Sequence, residues 1–381
     1  MKNILFFLVI LISTLRLAAQ TNRPARLALV SESPEASTVA DVLTAELSSR
    51  KGLQLLERNE IEKVYREQSL SAGNKDYLKL GQVLGADGLL LLDIVNEGTN
   101  QSLNIRLMAV KPGVVLVAEK FLWTGKNPTE WASSFTKHLD LFLPKLTVLV
   151  KDAIPISVVN LRSAISSADG LETERQLKLL TIQRLSREPQ LFVLERQQMQ
   201  LLGEEKELKL DDSAFWNGSI LLEGVVDQNG FSQETVTINA RLTPPKGGSL
   251  MLLEVRGART NLAEVINQLA VKVNTALQVS STVTEWNAVD EAQQFFEEAN
   301  WALRWGVFVE AQVAAESAWA LGRRNSETAT LRLRAYSESV SLQSPIDSGY
   351  SENYFSKRIS IPAIPYPERF RPLTRATELF L

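Results

Sequence analysis

The run LLERNEIEKVYREQSL at residues 55–70 is written a second time, as VLERQQMQLLGEEKEL at 193–208. At a constant offset of 138, Leu194, Glu195, Arg196, Glu205 and Leu208 stand opposite Leu56, Glu57, Arg58, Glu67 and Leu70. A second pair of runs, LNIRLMAVKPG (103–113) and INARLTPPKGG (238–248), stands at an offset of 135, with Glu119 opposite Glu254. Two similarities in the same order at nearly the same offset point to duplication, which predicts one folding unit used twice, side by side.

The first unit reads element by element. RLALVS (26–31) is a short buried strand; Ser33 offers a helix cap, Pro34 suits a first helical position, and Val39, Leu43 and Leu47 recur at helical spacing until Gly52. LQLLER (53–58) is a second strand, after which Asn59 can cap a helix with Glu62 three residues on and Ile61, Val64, Tyr65 and Gln68 along its inner edge. Asp76 to Leu84 forms a short helix closed by Gly85, and Asp87-Gly88 turns into the apolar strand Leu89 to Val95. NEGTNQ is a hairpin signal, Leu103, Ile105, Leu107 and Ala109 alternate as in a half-buried strand, and Lys111-Pro112-Gly113 turns into VVLVAEK before a helix over about 128–143. The predicted order is β-α-β-α-α-β-β-β-α, a mixed sheet with helices packed on it. In the second unit only eight residues separate Leu208 from Asn217, against sixteen between Leu70 and Asp87, so the short helix is expected to be lost there.

At 381 residues the chain has room for two or three domains. Its 41 basic and 44 acidic residues leave a net charge of -3, which offers no field for nucleic acid or an anionic membrane. There is no cysteine and one histidine, His138, which removes disulfides, thiolate metal sites and cysteine nucleophiles. His138 lies beside the apolar stripe Trp131, Phe135, Leu139 and Phe142 and reads as a surface or boundary residue, since the sequence names no carboxylate partner for it. TGKNPTE (124–130) lacks the spacing of a phosphate loop, and the adjacent acids at 204–205, 211–212 and 297–298 point to different sides of any helix. No cofactor, metal or catalytic residue is therefore assigned, and the chain is read as a non-enzyme.

The amino terminus has Lys2, an unbroken apolar run from Ile4 to Ile12, and the small residues Ala18 and Ala19 before Gln20. Residues 1–19 therefore read as a secretory signal, too short for the roughly 20 apolar residues that cross a bilayer. The expectation is a periplasmic protein with no integral membrane span after signal removal, open to association with the outer membrane.

GLQLLERNEIEKVYREQSLS followed by LGQVLGADGLLLLDIV resembles the core of the CsgG-like family, named for the curli secretion channel component, whose fold relatives include the amino-terminal domain of TolB and activator lipoproteins of penicillin-binding proteins. The pattern is Glu57-Arg58 at a strand end, Glu67-Gln68 near a helix end, and Gly85-Ala86-Asp87 before an apolar strand; it covers residues 26–145 well and 154–279 weakly. The family's channel members are lipoproteins with long inserted barrel strands. This chain has no lipobox cysteine and no loop long enough for such strands, so the pore is not implied. What the resemblance implies is an exported, non-enzymatic module that works through contacts with envelope proteins, as an accessory or scaffold in assembly or transport, open to homo-oligomerisation. Two rivals stand beside it: a ligand-binding module with a cleft between the copies, and an exported hydrolase.

Beyond Trp286 the strand signals stop. GVFVEAQVAAESAWALGRRN is similar to the second half of a tetratricopeptide repeat, with Gly306, Phe308, Ala311, Ala318 and Leu321 where small and bulky residues interlock, and Ala299 in the preceding helix. Trp301, Trp305, Phe308 and Trp319 are candidate partner-binding residues, or the core of a packing appendage. The proline-rich ISIPAIPYPERFRPL favours an extended strap. The fold class is thus α/β, two tandem mixed-sheet modules followed by a small helical hairpin region: signal 1–19, first module 24–150, second and degenerate module 151–284, helical region 286–341, extended tail 342–381. Glu57, Arg58, Glu195 and Arg196 are read as structural pairs, each arginine acting as internal glue between strand and helix. A chain ending near Thr284 is expected to keep its sheets intact.

Overall fold

The computed structural model describes residues 23–72, 77–97, 100–194, 215, 218–245, 248–279 and 287–341. The segment 1–19 expected to be a secretory signal, the pair Glu195 and Arg196, the helix expected to be lost from the second unit and the proline-rich tail lie outside these residues.

The first module has the expected order. Strand β1 (Ala25–Ser31) leads through a single 3-10 turn at Pro34–Ala36 into α1 (Ser37–Ser48), followed by β2 (Leu53–Leu55), α2 (Arg58–Ala72), α3 (Tyr77–Leu84), β3 (Gly88–Glu97), β4 (Asn100–Ala109), β5 (Val114–Trp123) and α4 (Pro128–Leu139). Its sheet runs β2-β1-β3-β4-β5, with β1 parallel to β2 and β3, and β3-β4-β5 an antiparallel meander. Residues 89–92 are buried leucines throughout because both faces are covered. Val39, Leu43 and Leu47 of α1 and Trp131 and Phe135 of α4 pack one face, while Ile61 of α2 and Tyr77 and Leu80 of α3 pack the other.

The second module comprises β6 (Ile154–Ser163), α5 (Ala168–Ser186), β7 (Leu191–Leu194), β8 (Ile220–Val226), β9 (Thr235–Thr243), β10 (Met251–Ala258) and α6 (Leu262–Ala276). Its sheet runs β7-β6-β8-β9-β10, with the same sequence of parallel and antiparallel pairings as the first. Helices α5 and α6 cover one face through Leu177, Leu180, Val265 and Leu269.

Three further helices, α7 (Ala288–Arg304), α8 (Phe308–Ala320) and α9 (Ser326–Ser341), follow. They form a layer that belongs to both modules: Ala302, Trp305, Val307, Ala311 and Ala335 enter the first core, and Phe295, Ala299, Ala314, Ala315, Ala318 and Leu331 the second. A sheet module that ends near Thr284 would expose both of these contact faces. The layer thus contributes side chains to both cores instead of hanging from them.

Candidate functional site

The Glu57–Arg58 corner sits where two helices begin. The Glu57 carbonyl accepts from the N–H groups of Glu60 and Ile61, so α2 starts at Arg58 and Asn59 is already inside it. Arg58 then reaches across the carboxyl ends of β1 and β2 to the start of α1. Its guanidinium donates to Ser37 Oγ (2.6 Å), to Glu62 Oε1 (2.8 Å) and to the Asp41 carboxylate. The side chain is 46% exposed and its carboxylate partners are exposed too, so the network is a solvated bridge and not the internal glue expected from the sequence.

The aromatic residues of the helical layer face inward. Trp305 is buried and stacks on Trp123 of β5 at 6.3 Å, and Trp301 meets Phe121 at 5.5 Å and Phe135 at 6.3 Å. The Trp305 carbonyl accepts from the N–H of Leu122, which caps part of the outer edge of β5. Gly306 follows with φ +76°, and a Cβ there would lie 2.9 Å from Leu122 Cβ, so this close approach needs glycine. Phe308, at the start of α8, is half-buried, and so is Trp319, whose ring lies under the Arg332 guanidinium at 4.4 Å.

Between that layer and the first module lies a half-buried charge cluster. His138 of α4 sits between Glu119 of β5 (Nε2 to Oε1, 2.8 Å) and Glu298 of α7 (Nδ1 to Oε1, 3.1 Å), with its side chain 16% exposed. His138 is thus a boundary residue, and the correction concerns its partners: it has two carboxylates that the sequence did not name. Burial alone would lower its pKa, but Glu119 and then Glu298 overcome that and hold it well above the usual 6.5. Glu310 of α8 shares the site; burial, reinforced by Glu119 and Glu298 and opposed by His138, pushes its carboxyl up to about 7. A protonated imidazole donating from both nitrogens to carboxylates on different elements is an electrostatic clasp between layers. Its carboxylates lie 19 residues before and 160 after His138, too far for any local spacing to mark them.

The junction of the two modules is filled. Lys145, in the 3-10 turn Leu143–Thr147 that links them, donates Nζ to the carbonyls of Glu188 (2.7 Å) and Leu191 (2.6 Å) and lies over the Phe192 ring. Burial lowers its amine to about 7, with Glu188 opposing. Phe192 of β7 belongs to the core of the first module, so packed side chains stand where a cleft between the copies was considered. Shallow grooves lie elsewhere, along Asn59, Glu62, Lys63 and Arg66 of α2 and beside Arg50 and Asp140. Among the described residues no group of three or more acids or histidines is arranged to hold a metal ion, and no helix is long and apolar enough to cross a membrane.

A search of curated proteins gave no match. Among solved structures, the LpoB C-terminal domain from Salmonella enterica aligns at 16% identity and a TM-score of 0.21, over 28% of this chain and 88% of that one. Lipoprotein GNA1162 from Neisseria meningitidis aligns at 18% identity and a TM-score of 0.22, over 31% of this chain and 97% of that one. Residues 8–104 match the family model for the curli production assembly/transport component CsgG, so the first α/β module is similar to that family from its start into β4.

Proposed function

We propose that this is a non-catalytic exported protein of the cell envelope, an accessory or scaffold in assembly or transport at the periplasm or outer membrane that acts through contacts with other proteins. The family match over residues 8–104 carries this reading. The identical strand order of the two sheets supports an origin by duplication. The inward packing of Trp301 and Trp305 shifts the proposed contact surfaces to the outward-facing parts of the modules and to the exposed ends of the helical layer. Residues 1–19 act as the export signal in this reading.

The test is fractionation of cells that express the full chain, combined with crosslinking in the living cell and identification of the attached proteins. The expected result is a mature chain beginning near Gln20, in the periplasmic or outer-membrane fraction, crosslinked to envelope proteins. A chain that retains residues 1–17 and remains in the cytoplasm would overturn the proposal, and so would an exported chain that crosslinks to no envelope protein.

A further inference from the structure

The two sheets end differently. In the first, the edge strand β5 meets the turn between α7 and α8 through the bond from Leu122 to Trp305. In the second, no strand among the described residues continues the sheet beyond β10. Leu250 and Leu252 there are 52% and 76% exposed.

The hydrogen-bond phase of β10 follows from one contact. Arg259 N donates to Glu234 O, and the register pairs Ala258 with Thr235, Gly257 with Val236, and so on to Met251 with Leu242. Since bonded and non-bonded pairs alternate in an antiparallel ladder, Leu252, Glu254, Arg256 and Ala258 turn their N–H and C=O groups away from β9, toward the open edge. The Lys272 ammonium, which donates to the Glu254 carbonyl, agrees with that direction. The same four residues are exposed and share one face of the sheet.

We propose that β10 pairs antiparallel with β10 of a second copy of this chain, about a two-fold axis at Val255, joining the two second-module sheets into one. The outward groups of positions 252, 254, 256 and 258 then meet those of 258, 256, 254 and 252. Glu254 faces Arg256 of the second copy, Arg256 faces its Glu254, and each Leu252 lies beside an Ala258. The charges select this register. A shift that centres the axis on residue 254 sets the two Glu254 carboxylates against each other, and one that centres it on 256 does the same to the arginines. Such an interface is isologous and closes at two copies. Lys272 must release the Glu254 carbonyl for the strands to meet, and it acts as the guard on an otherwise open edge.

The test is sedimentation equilibrium of the full mature chain with charge reversals at exposed positions, folding being followed by circular dichroism. The wild type is expected to be a monomer–dimer system in the micromolar range. Glu254→Arg and Arg256→Glu each set like charges face to face twice and are expected to weaken dimerisation by about tenfold or more. The double reversal should bring affinity back to within about threefold of wild type. An equimolar mixture of the two single variants should form heterodimers more readily than either forms homodimers. Lys272→Met should tighten the dimer. A wild type that stays monomeric at 100-fold higher concentration, about 100 μM against 1 μM, would overturn the proposal, as would dimerisation indifferent to the single reversals or not restored by the double one.

Discussion

Exposure decides what Arg58 and His138 each contribute: the Arg58 side chain is 46% exposed and that of His138 16%. Arg58 bonds Ser37, Asp41 and Glu62 in solvent, so Arg58→Ala is expected to cost no more than about 1 kcal/mol in urea unfolding, because exposed ion pairs contribute little net energy. Glu310 lies on the other side of that line. Its folded value of about 7 stands above the usual 4.5, so the folded chain holds this proton more tightly than the unfolded one. The stability this contributes is present below pH 4.5 and is lost as the pH rises to 7. The raised His138 acts in the same sense, its contribution being lost as the pH climbs through its elevated value. Lys145 acts in the opposite sense: its amine is lowered from 10.5 to about 7, so its cost is present below pH 7 and is relieved as the pH rises toward 10.5. Glu310→Gln should therefore leave stability near pH 4.5 almost unchanged and raise it by about 1–3 kcal/mol near pH 7.5, flattening the acid-side slope. Urea midpoints at the two pH values measure it. An unchanged slope in the variant would show that Glu310 does not hold the proton assigned to it.

At the scale of elements, periodicity was a good guide wherever a strand or helix has one wet face or a marked turn. The hairpin between β3 and β4, the turn into β5 and the order of the first module were all readable from alternation and from glycine, proline and asparagine placement. The start of α2 was misread because Asn59 looks like a cap, whereas the backbone carbonyl of Glu57 opens the helix two residues earlier. The clasp around His138 was unreadable because its members come from β5, α4, α7 and α8. Helix α8 carries Ala311, Ala314, Ala315 and Ala318 along one stripe, and Ser317 and Ala320 off that stripe are buried as well, the mark of a helix packed between neighbours and not on a surface. The turn before it makes a sharp prediction. Trp305→Ala removes a buried ring stacked on Trp123 and should cost about 3–5 kcal/mol. Gly306→Ala, strained at positive φ and pressed on Leu122, should also destabilise, by about 1 kcal/mol or more. Thermal or urea melts check both, and a wild-type melt for Trp305→Ala would mean that the ring is not buried against β5.

For the whole molecule, the helical layer is the weld. It ties to the second module through Arg187–Glu291 (2.7 Å) and Arg332–Glu172 (3.5 Å), and to the first through the Arg304–Glu130 pair, the clasp and the aromatic seam. A chain truncated near Thr284 is accordingly expected to aggregate or to lose cooperative unfolding, and a soluble, cooperatively folded truncation would count against the weld. Outward contacts as the seat of function depend on that seam being closed in solution. The direct measurement is equilibrium urea unfolding of the chain from residue 20 onward, followed in parallel by tryptophan fluorescence, to which four of the seven tryptophans, Trp123, Trp131, Trp301 and Trp305, contribute from the seam, and by far-ultraviolet circular dichroism, which reports on both modules. The account predicts one transition with coincident midpoints. A fluorescence change complete before the loss of secondary structure would show that the helical layer leaves the modules while they remain folded, and would contradict it.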